Sequence, residues 1–596
     1  MNAGSGSISA GVNSRRIYFL LALIAFGIVL WRAITIPLVH DEARTFFMYI
    51  QLEDVLPFHA QWDAANHLLV SFVTLPLYQL FGPAPLVLRA FSVVCFALYA
   101  AYTWRAGRWV EDPVVRWVML LAMLFMPFAF DLFSLFRGYG PGLAFLLVAL
   151  VHGVAFVQHR KQQDLGLLLL AMAAATYANL SLIVVWCAVL GGVLLLLLRM
   201  ERNEQVRTLL ALLLLGVGPL YYLATYAFGL SERGQLYYGT DQGLISGSLV
   251  SLNRLVLGNA ELWLAWSTVL LASVAVAIAA REVWRKRAAA WMNPLVAVTA
   301  LLVAEMAGRF VMFQAMGVKY PLDRAAIHWV LFTVLVIALA TDRLARAHRS
   351  WSWCACVLLF LPLRTVVATS MQTTMLWPEH SMDADLVKTV VDRGVGRPRA
   401  LLVGAAPFML QAITYQAKLH HWEIAPPMEL DAPGPQDLFF ALTGTPIPGF
   451  QPIGTSASGR IQLFERTERP DEELVLDSTF TPTGEGFMSL WNGAADHFGT
   501  TALIFDVDAD FSGFHEPLSG SLVVEVKDSA GGHVYYNGMD LVLWSDPQHF
   551  RASCPVPSPS HQAKQLNLYF WDMNGIGLRV DRCRLRIWSQ DLTKQN

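Results

Sequence analysis

Carboxylate and imidazole side chains are concentrated in one short stretch, directly after the first long apolar run of the sequence. Residues 39–67 carry eight of them: His40, Asp41, Glu42, Glu53, Asp54, His59, Asp63 and His67. A carboxylate at a membrane surface can take the proton of an acceptor hydroxyl while that hydroxyl attacks, which is general-base catalysis. We predict this role for Asp41. The alternative is that the acidic residues are only solvated, and the residue chemistry alone does not decide between the two.

Basic side chains that could hold a phosphate lie in two other segments of the same apolar region. Arg137 begins an Arg-Gly-Tyr turn, whereas Lys319 and Arg324 bracket the string Tyr-Pro-Leu-Asp. Arginine binds phosphate through two parallel hydrogen bonds, and fixed positive charge stabilises a departing phosphate. These residues therefore predict transfer of a group from an anionic, lipid-linked donor. The alternative for loop arginines is that they only bind lipid headgroups.

The composition places most of the chain in a bilayer. Of its 596 residues, 55% are hydrophobic and 15% are charged, and the mean hydropathy is +0.46. Soluble chains carry about 25% charged residues. The same figures exclude a disordered chain, a collagen, a coiled coil and a small disulfide-packed protein. A formal net charge of −2 gives no reason to expect a nucleic-acid partner.

Long apolar runs separated by short basic segments fill residues 17–370. A spanning helix needs about 20 apolar residues, and a spanning backbone must satisfy its own hydrogen bonds. We predict about eleven transmembrane helices, at residues 17–38, 86–104, 118–135, 142–157, 165–182, 183–198, 209–228, 262–280, 293–316, 325–340 and 353–370. We interpret residues 66–81 as an interfacial or re-entrant helix.

Basic residues occur in alternate loops, which predicts the orientation of the helices. They are Arg15, Arg16, Arg105, Arg108, Arg116, Arg160, Lys161, Arg199, Arg202, Arg207, Arg281, Arg285, Lys286, Arg287, Arg343, Arg346 and Arg349. Lys and Arg near span ends remain on the cytoplasmic side. The N-terminus is therefore expected in the cytoplasm and the C-terminal tail in the periplasm, for a multi-pass protein of the bacterial inner membrane.

The texture changes after residue 370, where apolar stretches become short and Pro, Gly, Asp and His become frequent. We predict three domains: a transmembrane domain at 1–370, a periplasmic α/β segment at 371–470 and a periplasmic β-sandwich at 471–596. The predicted strands of the sandwich are 474–476, 502–511, 521–527, 533–543, 565–571 and 583–588. The chain lacks the glycine-rich loops of dinucleotide-binding proteins and of ATPases.

Three features of the tail could mark a site or a cross-link. Asp506, Asp508 and Asp510 alternate along one strand, but the calcium loop template fails, so a solvated strand face is favoured. Aromatic side chains that could stack on sugars, with core packing as the preferred alternative, are Trp491, Tyr535, Tyr536, Trp544 and Trp571. A disulfide between Cys554 and Cys583 is reasonable in the periplasm.

Several short strings resemble the GT-C glycosyltransferases of the protein mannosyltransferase and aminoarabinose transferase type. His-Asp-Glu-Ala at residues 40–43 resembles the Asp-Glu signature in the first outer loop of that family. The string Asp-Ala-Ala-Asn-His-Leu at 63–68 resembles the end of that loop, and Phe-Arg-Gly-Tyr at 136–139 resembles its turn after span three. Tyr-Pro-Leu-Asp-Arg at 320–324 resembles a late outer-loop motif. The resemblance covers about the first 370 residues.

The resemblance implies a multispanning helical fold, an active site on the outer face and a polyprenyl-phosphate sugar donor. It implies Asp41 as base, Glu42 as its support or as an acceptor-positioning group, and Arg137 facing the donor phosphate. Substrate-binding candidates on these motifs are Asp63, His67, Arg137, Tyr139, Lys319 and Arg324. The family's paired prolines before the interfacial segment are absent here, so acceptor preference does not transfer.

A divalent metal is the one cofactor that the resemblance raises, because some relatives bind one. Donor atoms are carried by His40, Asp41, His59 and His67, but no spacing matches a zinc pattern. Metal ligands are therefore left unassigned, and no other cofactor is indicated.

Glu305 and Arg309 lie four residues apart inside a predicted span. Charges at that depth are costly, and a structural ion pair is favoured over a substrate role. Apart from this pair we read the spans as strongly apolar.

The combined prediction is a membrane glycosyltransferase with an inverting, single-displacement mechanism. It would move a sugar from a polyprenyl-phosphate donor to a periplasmic glycan, lipid or protein acceptor of the cell envelope. The first alternative is a transporter or flippase of lipid-linked sugars, which would need polar residues along a route through the bilayer. The second is a glycan-binding scaffold anchored in the membrane.

Overall fold

The computed structural model describes residues 5–484, 486–494, 501–512, 520–544, 548–556, 563–573, 575 and 577–591. The chain divides into two compact units. The first comprises Met1–Thr35 and Val55–Leu376, and the second comprises Ile36–Asp54 and Trp377–Asn596. The segment with Asp41 therefore belongs to the unit formed by the C-terminal residues. The predicted division at residues 370 and 470 stays a prediction.

The first unit is helical, as predicted. Its α-helices are Ser5–Thr35, Leu68–Phe81, Pro85–Ala106, Pro113–Leu124, Ala129–Ser134, Tyr139–His159, Gln162–Ala178, Ile183–Leu197, Arg202–Ala211, Gly218–Glu232, Val250–Leu257, Leu262–Lys286, Pro294–Met316, His328–Ala345 and Phe360–Ala368. These elements make the chain a polytopic α-helical membrane protein.

Nine helical segments within the described residues are long and apolar enough to cross a membrane. They are Asn13–Thr35, Pro85–Trp109, Tyr139–His159, Leu180–Leu197, Arg202–Glu232, Leu262–Lys286, Pro294–Met316, Asp323–Ala345 and Arg349–Ala368. The count of eleven stays a prediction, because the predicted spans 118–135 and 165–182 are not among these nine.

Local sequence explains both differences. The helix Pro113–Leu124 stops before Pro127, whose ring disfavours helical backbone in the preceding residue. Phe128 then takes a φ of 68° before the short helix Ala129–Ser134 begins. The helix Gln162–Ala178 ends at Asn179, whose side chain accepts a hydrogen bond from the N–H of Ser181 and caps the next turn.

The helix Leu68–Phe81 falls within the segment expected to be interfacial or re-entrant. It has 14 residues, which corresponds to a length of about 21 Å. A bilayer core is about 30 Å thick. This helix is thus too short for a straight crossing.

A polar network joins several helix ends that the sequence places next to basic loops. Asp342 accepts hydrogen bonds from the backbone N–H groups of Glu111 and Asp112, at 2.9 and 2.8 Å. Arg346 pairs with Asp342 at 2.7 Å, and Ser352 donates to Asp112 at 2.7 Å. The second and tenth predicted spans therefore end, and the third and eleventh begin, at one end of the bundle, as alternate basic loops require.

The second unit contains a mixed α/β region. Its strands are β1 (Val403–Ala405), β2 (Met428–Glu429), β3 (Leu438–Leu442), β4 (Phe450–Thr455) and β5 (Ile461–Arg466), in the order β2-β1-β3-β5-β4. Strand β1 runs parallel to β2 and β3. Its helices are Ala384–Gly394 and Leu410–Leu419, so the predicted α/β segment is confirmed as a structural class.

Two four-stranded antiparallel sheets form the predicted sandwich. Their strands are β6 (Asp471–Phe480), β7 (Phe487–Ala494), β8 (Ala502–Ser512), β9 (Ser521–Lys527), β10 (His533–Asp540), β11 (His549–Val556), β12 (Gln565–Trp571) and β13 (Arg579–Asp591). The sheet orders are β10-β9-β12-β7 and β11-β8-β13-β6. Inward residues such as Phe505, Val524 and Leu568 make one core.

Strands β7 and β11 were not predicted, and both lie at a sheet edge. Strand β11 contains Pro555, which cannot donate to a ladder and is tolerated at an edge. Strand β7 contains an Asn-Gly pair, which is typical of a turn. Edge position therefore allows compositions that hide a strand from sequence reasoning.

The prediction of a disulfide between Cys554 and Cys583 is wrong. Cys554 and Cys583 are both buried free thiols on β11 and β13, and β8 lies between these two strands. Strands that flank a third strand are roughly 9.6 Å apart, whereas a disulfide needs Cα atoms within about 7 Å. Burial raises the pKa of both thiols to about 12.

The aspartates of β8 share one face of the strand, as predicted. Asp506 and Asp510 on that face form ion pairs and are not simply solvated. Asp506 is fully buried, forms an ion pair with Arg586 and accepts a hydrogen bond from the N–H of Ala400 at 2.9 Å. Asp510 contacts His549 at 2.8 Å and Arg582 at 3.6 Å. Strand β8 thus supports the α/β region.

Candidate functional site

Two arginines flank one tyrosine in the first unit. The Nε of Arg324 donates a hydrogen bond to the hydroxyl of Tyr139 at 3.1 Å. The guanidinium carbons of Arg137 and Arg324 lie 6.0 and 5.8 Å from the centroid of the Tyr139 ring. Two motifs that are 185 residues apart therefore meet at one phenol. We call Arg137, Tyr139 and Arg324 the tyrosine–arginine cluster.

Glycine makes this meeting possible. A Cβ on Gly138 would lie 1.7 Å from the carbonyl oxygen of Ala178 and 2.6 Å from Nδ1 of His67. No side chain fits there, so the Arg-Gly-Tyr turn lies directly against the end of the helix Gln162–Ala178. The helix Tyr139–His159 begins immediately afterwards, which fixes the position of Tyr139.

His67 supports the same phenol from another side. Its Nδ1 lies 2.8 Å from the carbonyl oxygen of Ala178, so Nδ1 carries the proton in this contact. The imidazole ring meets the ring of Tyr139 edge-on, with a centroid distance of 5.0 Å. His67 is buried, and we read it as a positioning residue for Tyr139.

Asp63 shapes the loop beside Arg137. Its Oδ1 accepts a hydrogen bond from the N–H of Ala65 at 2.7 Å. The Nη1 of Arg137 in turn donates to the carbonyl oxygen of Ala65 at 3.5 Å. The structure therefore places the predicted residues Asp63, His67, Arg137, Tyr139 and Arg324 in one continuous group.

Lys319 lies in a neighbouring loop rather than at Tyr139. Its Nζ donates to the carbonyl oxygen of Tyr237 at 3.4 Å. The segments on either side are joined by a backbone bridge between Thr240 and Tyr320, with N···O distances of 2.9 and 3.0 Å. This bridge brings Tyr238 close to Arg324, whose guanidinium carbon lies 4.9 Å from the Tyr238 ring.

Tyr238 and Asp323 are site residues that the sequence analysis did not select. The hydroxyl of Tyr238 donates to Asp323 Oδ2 at 3.1 Å, and Arg254 lies 3.6 Å from Asp323 Oδ1. Asp323 takes a φ of 44°, and its N–H donates to the hydroxyl of Ser251 at 2.8 Å. The position of Asp323 beside Arg324 was a usable signal, whereas Tyr238 carries no motif.

Asp41 and Glu42 occupy the first turn of a short helix in the second unit, His40–Thr45. The Glu42 carboxylate is buried and accepts a hydrogen bond from the N–H of Val39 at 3.1 Å, which caps the helix. Asp41 is half-buried, and its carbonyl oxygen accepts a hydrogen bond from Thr45. A helix N-terminus favours negative side chains. Glu42 thus holds the backbone of Asp41 in place.

C-terminal residues surround this segment within the second unit. The ring of Phe46 packs edge-on against Tyr415 at 5.4 Å, and Gln51 Nε2 donates to the carbonyl oxygen of Val542 at 2.7 Å. His40 is buried and meets the rings of His380 and Phe408 at 6.0 and 5.2 Å.

The four candidate metal ligands are divided between the two units. His40 and Asp41 belong to the second unit, whereas His59 and His67 belong to the first. Over the part of the chain that the structure describes, no group of three or more His, Cys, Asp or Glu side chains is placed to hold a metal ion.

The predicted ion pair Glu305–Arg309 is present and buried, and two further residues bind the same carboxylate. Glu305 Oε1 accepts from Arg309 Nε at 2.8 Å, His328 Nε2 at 2.9 Å and Trp329 Nε1 at 3.3 Å. Arg309 also donates to the carbonyl oxygen of Ser181. We call Glu305, Arg309, His328 and Trp329 the glutamate cluster.

The spans are apolar, as predicted, but Glu305–Arg309 is not the only charged pair buried in the first unit. Arg32 and Asp131 form a fully buried ion pair, and Asp131 also accepts the N–H of Met375 at 2.5 Å. Arg89, equally buried, donates to the carbonyl oxygen of Ala33 at 3.1 Å. These three charged residues lie near helix ends.

Comparisons with known proteins give similar solved structures at low identity. ArnT from Cupriavidus metallidurans, bound to undecaprenyl phosphate, is 14% identical with a TM-score of 0.42, over 78% of this chain and 98% of that chain. The oligosaccharyltransferase of Archaeoglobus fulgidus in the apo form is 8% identical with a TM-score of 0.42, over 95% and 96%. The arabinosyltransferase EmbB from Mycobacterium smegmatis is 11% identical with a TM-score of 0.34, over 96% and 64%.

No protein-family model matches the chain, and no curated protein does.

Proposed function

We propose that this protein is a membrane glycosyltransferase that uses a polyprenyl-phosphate sugar and acts at the outer face of the bacterial inner membrane. The observation that carries the proposal is the tyrosine–arginine cluster, in which two guanidinium groups contact one neutral phenol. Such a pair of cations suits a phosphate, because arginine binds phosphate with fixed, directional donors.

The reaction is a single displacement with inversion at the anomeric carbon. An acceptor hydroxyl attacks that carbon while the bond to the phosphate oxygen breaks, and Asp41 takes the hydroxyl proton. Polyprenyl phosphate leaves with the bonding electrons. Arg137 and Arg324 stabilise the charge that develops on it.

The remaining site residues act through position. Tyr139 orients Arg324, and His67 and Asp63 hold the turns on which Tyr139 and Arg137 lie. Glu42 fixes the helix of Asp41 by accepting the N–H of Val39. Lys319 adds a positive charge at the edge of the donor site. The acceptor is a periplasmic glycan, lipid or protein.

The test is transfer of radiolabelled sugar from synthetic polyprenyl-phosphate donors by purified protein, comparing wild type with Asp41→Asn. We expect a loss of roughly 10²- to 10⁴-fold, the usual contribution of a general base. Glu53→Gln is the matched control, because Glu53 is an exposed carboxylate of the same segment. A well-folded Asp41→Asn variant with full activity refutes the base assignment, and transport of intact donor without transfer supports the flippase alternative.

A further inference from the structure

The two sheets of the sandwich present different outward faces. On the sheet β11-β8-β13-β6, outward side chains form ion pairs such as Arg584 with Asp477 at 2.7 Å. Part of that face lies against the α/β region, where Ser553 donates to the carbonyl oxygen of Ala400 at 2.8 Å. The outward face of the sheet β10-β9-β12-β7 is instead aromatic and amide-rich.

Strand alternation separates the two faces of this second sheet. On β12, Leu566, Leu568 and Phe570 are buried in the core, whereas Gln565, Asn567, Tyr569 and Trp571 point the other way. Of the aromatic residues that the sequence selected for sugar stacking, Trp491, Tyr535 and Trp544 pack on the core. Tyr536 and Trp571 belong to the outward face.

Aromatic rings form one end of this face. The rings of Phe487 and Trp571 are nearly parallel, with a centroid distance of 5.7 Å and an interplanar angle of 12°. Tyr569 meets Phe487 edge-on at 5.7 Å. Phe487 is 57% exposed, so these rings present open surface to solvent. Tyr536, which is 51% exposed, pairs with Glu525 and so lies in the neighbouring row.

Hydrogen-bonding groups form the row beside the rings. Asn567 donates to Glu525 Oε1 at 2.9 Å, and Gln565 donates to Asn492 and Asn567 at 3.3 and 3.2 Å. Lys527 pairs with Glu525 at 2.6 Å and offsets its charge. The row therefore offers several donors and acceptors with little net charge. We call Phe487, Tyr536, Tyr569, Trp571 and this polar row the aromatic face.

We propose that the aromatic face binds a neutral polysaccharide. Sugar rings have apolar C–H surfaces that stack on aromatic rings, and hydroxyl groups that exchange hydrogen bonds with amides and carboxylates. The local pairing of Lys527 with Glu525 fits an uncharged ligand better than a polyanion, and a lipid surface would call for unpaired basic residues. The site does not depend on the proposed transferase activity.

The experiment uses the full-length protein in lipid nanodiscs, without donor, on an array of bacterial surface polysaccharides that contains neutral and acidic members. We expect binding to at least one neutral glycan, competed by the soluble oligosaccharide. Phe487→Ala and Trp571→Ala should each weaken it roughly tenfold, the value of about one good aromatic contact. Gln565→Ala, which alters an exposed side chain, tests the polar row if an aromatic variant fails to fold.

Two control variants keep the aromatic face distinct from the rest of the molecule. Val475→Ala removes an exposed apolar side chain from the other sheet and should leave binding unchanged. Asp41→Asn should also bind normally, so failure of the transferase proposal is distinguishable. The inference is overturned by no binding to any neutral glycan, by binding only to acidic glycans, or by equal binding of all variants.

Discussion

The glutamate cluster and the tyrosine–arginine cluster both contain buried or partly buried arginines, but they are suited to different roles. In the glutamate cluster, one carboxylate oxygen accepts from an arginine, a histidine and a tryptophan, so charge is balanced inside the group. In the other cluster, two arginines share a neutral phenol. Balanced charge in a low-dielectric interior holds helices together. Two guanidinium groups beside one phenol offer directional donors that are suited to an anionic ligand.

The largest expected effect is on stability, in the glutamate cluster. Glu305→Ala leaves Arg309 buried without its carboxylate, and breaking a buried pair in this way costs about 3–5 kcal/mol. Thermal unfolding in detergent should show it. The double variant Glu305→Leu with Arg309→Leu should be more stable than Glu305→Ala, because no unpaired charge remains. If the double variant is the less stable of the two, the cluster is not a structural pair.

The next effect is on transfer, in the tyrosine–arginine cluster. Arg137→Ala should lower kcat/KM by roughly 10²- to 10³-fold, as loss of one preorganised donor does. Arg137→Lys keeps the positive charge but loses the paired donors. Its kcat/KM should lie between those of wild type and Arg137→Ala. Initial rates of sugar transfer measure both. Arg108→Ala is the control, because Arg108 is an exposed arginine of a basic loop. An equal loss of activity in this variant would show that the effect is not specific to Arg137.

A smaller effect is expected for Tyr139→Phe. The substitution removes the 3.1 Å hydrogen bond from Arg324 but keeps the ring that His67 contacts, so about 1 kcal/mol, or roughly fivefold, should be lost. The loss should appear mainly in kcat, because Arg324 is assigned to the charge that develops on the departing phosphate. A raised KM for donor with an unchanged kcat would contradict the positioning of Arg324 for that role.

The smallest effect is expected for Lys319→Ala. Its ammonium group makes a long backbone contact of 3.4 Å, and partly exposed charges contribute about 0.2–1 kcal/mol. The same transfer assay should show less than roughly a fivefold change. A loss of activity as large as that of Arg137→Ala would contradict this and indicate that Lys319 contacts the donor directly.

Short motifs predicted more of the candidate site than of the bundle interior. Arg137, Tyr139 and Arg324 could be selected because their strings lie at span ends and resemble a known pattern. The pair Arg32–Asp131 joins residues 99 positions apart, and no local pattern marks it. Hydropathy also joined 118–135 into one span, since Pro127 barely changes an average although it breaks a helix.

Strand prediction worked where alternation was strong and failed at β7 and β11, two of the four edge strands of the sandwich. Strand β9, between two partners, reads as a clear apolar alternation with an Asp-Ser-Ala-Gly-Gly turn after it, and Gly531 takes the positive φ of 83° that the turn needs. Strand β11 contains Pro555 and pairs on one side only. Its core contacts come from distant residues, so its sequence carries little local signal.

Membership of residues 36–54 in the second unit has a consequence for biosynthesis. A ribosome releases this segment early, yet its packing partners Tyr415 and Val542 are among the later residues to be made. The segment that carries Asp41 therefore cannot make these contacts until most of the chain has been translated. Nascent chains that stop before residue 415 lack these contacts.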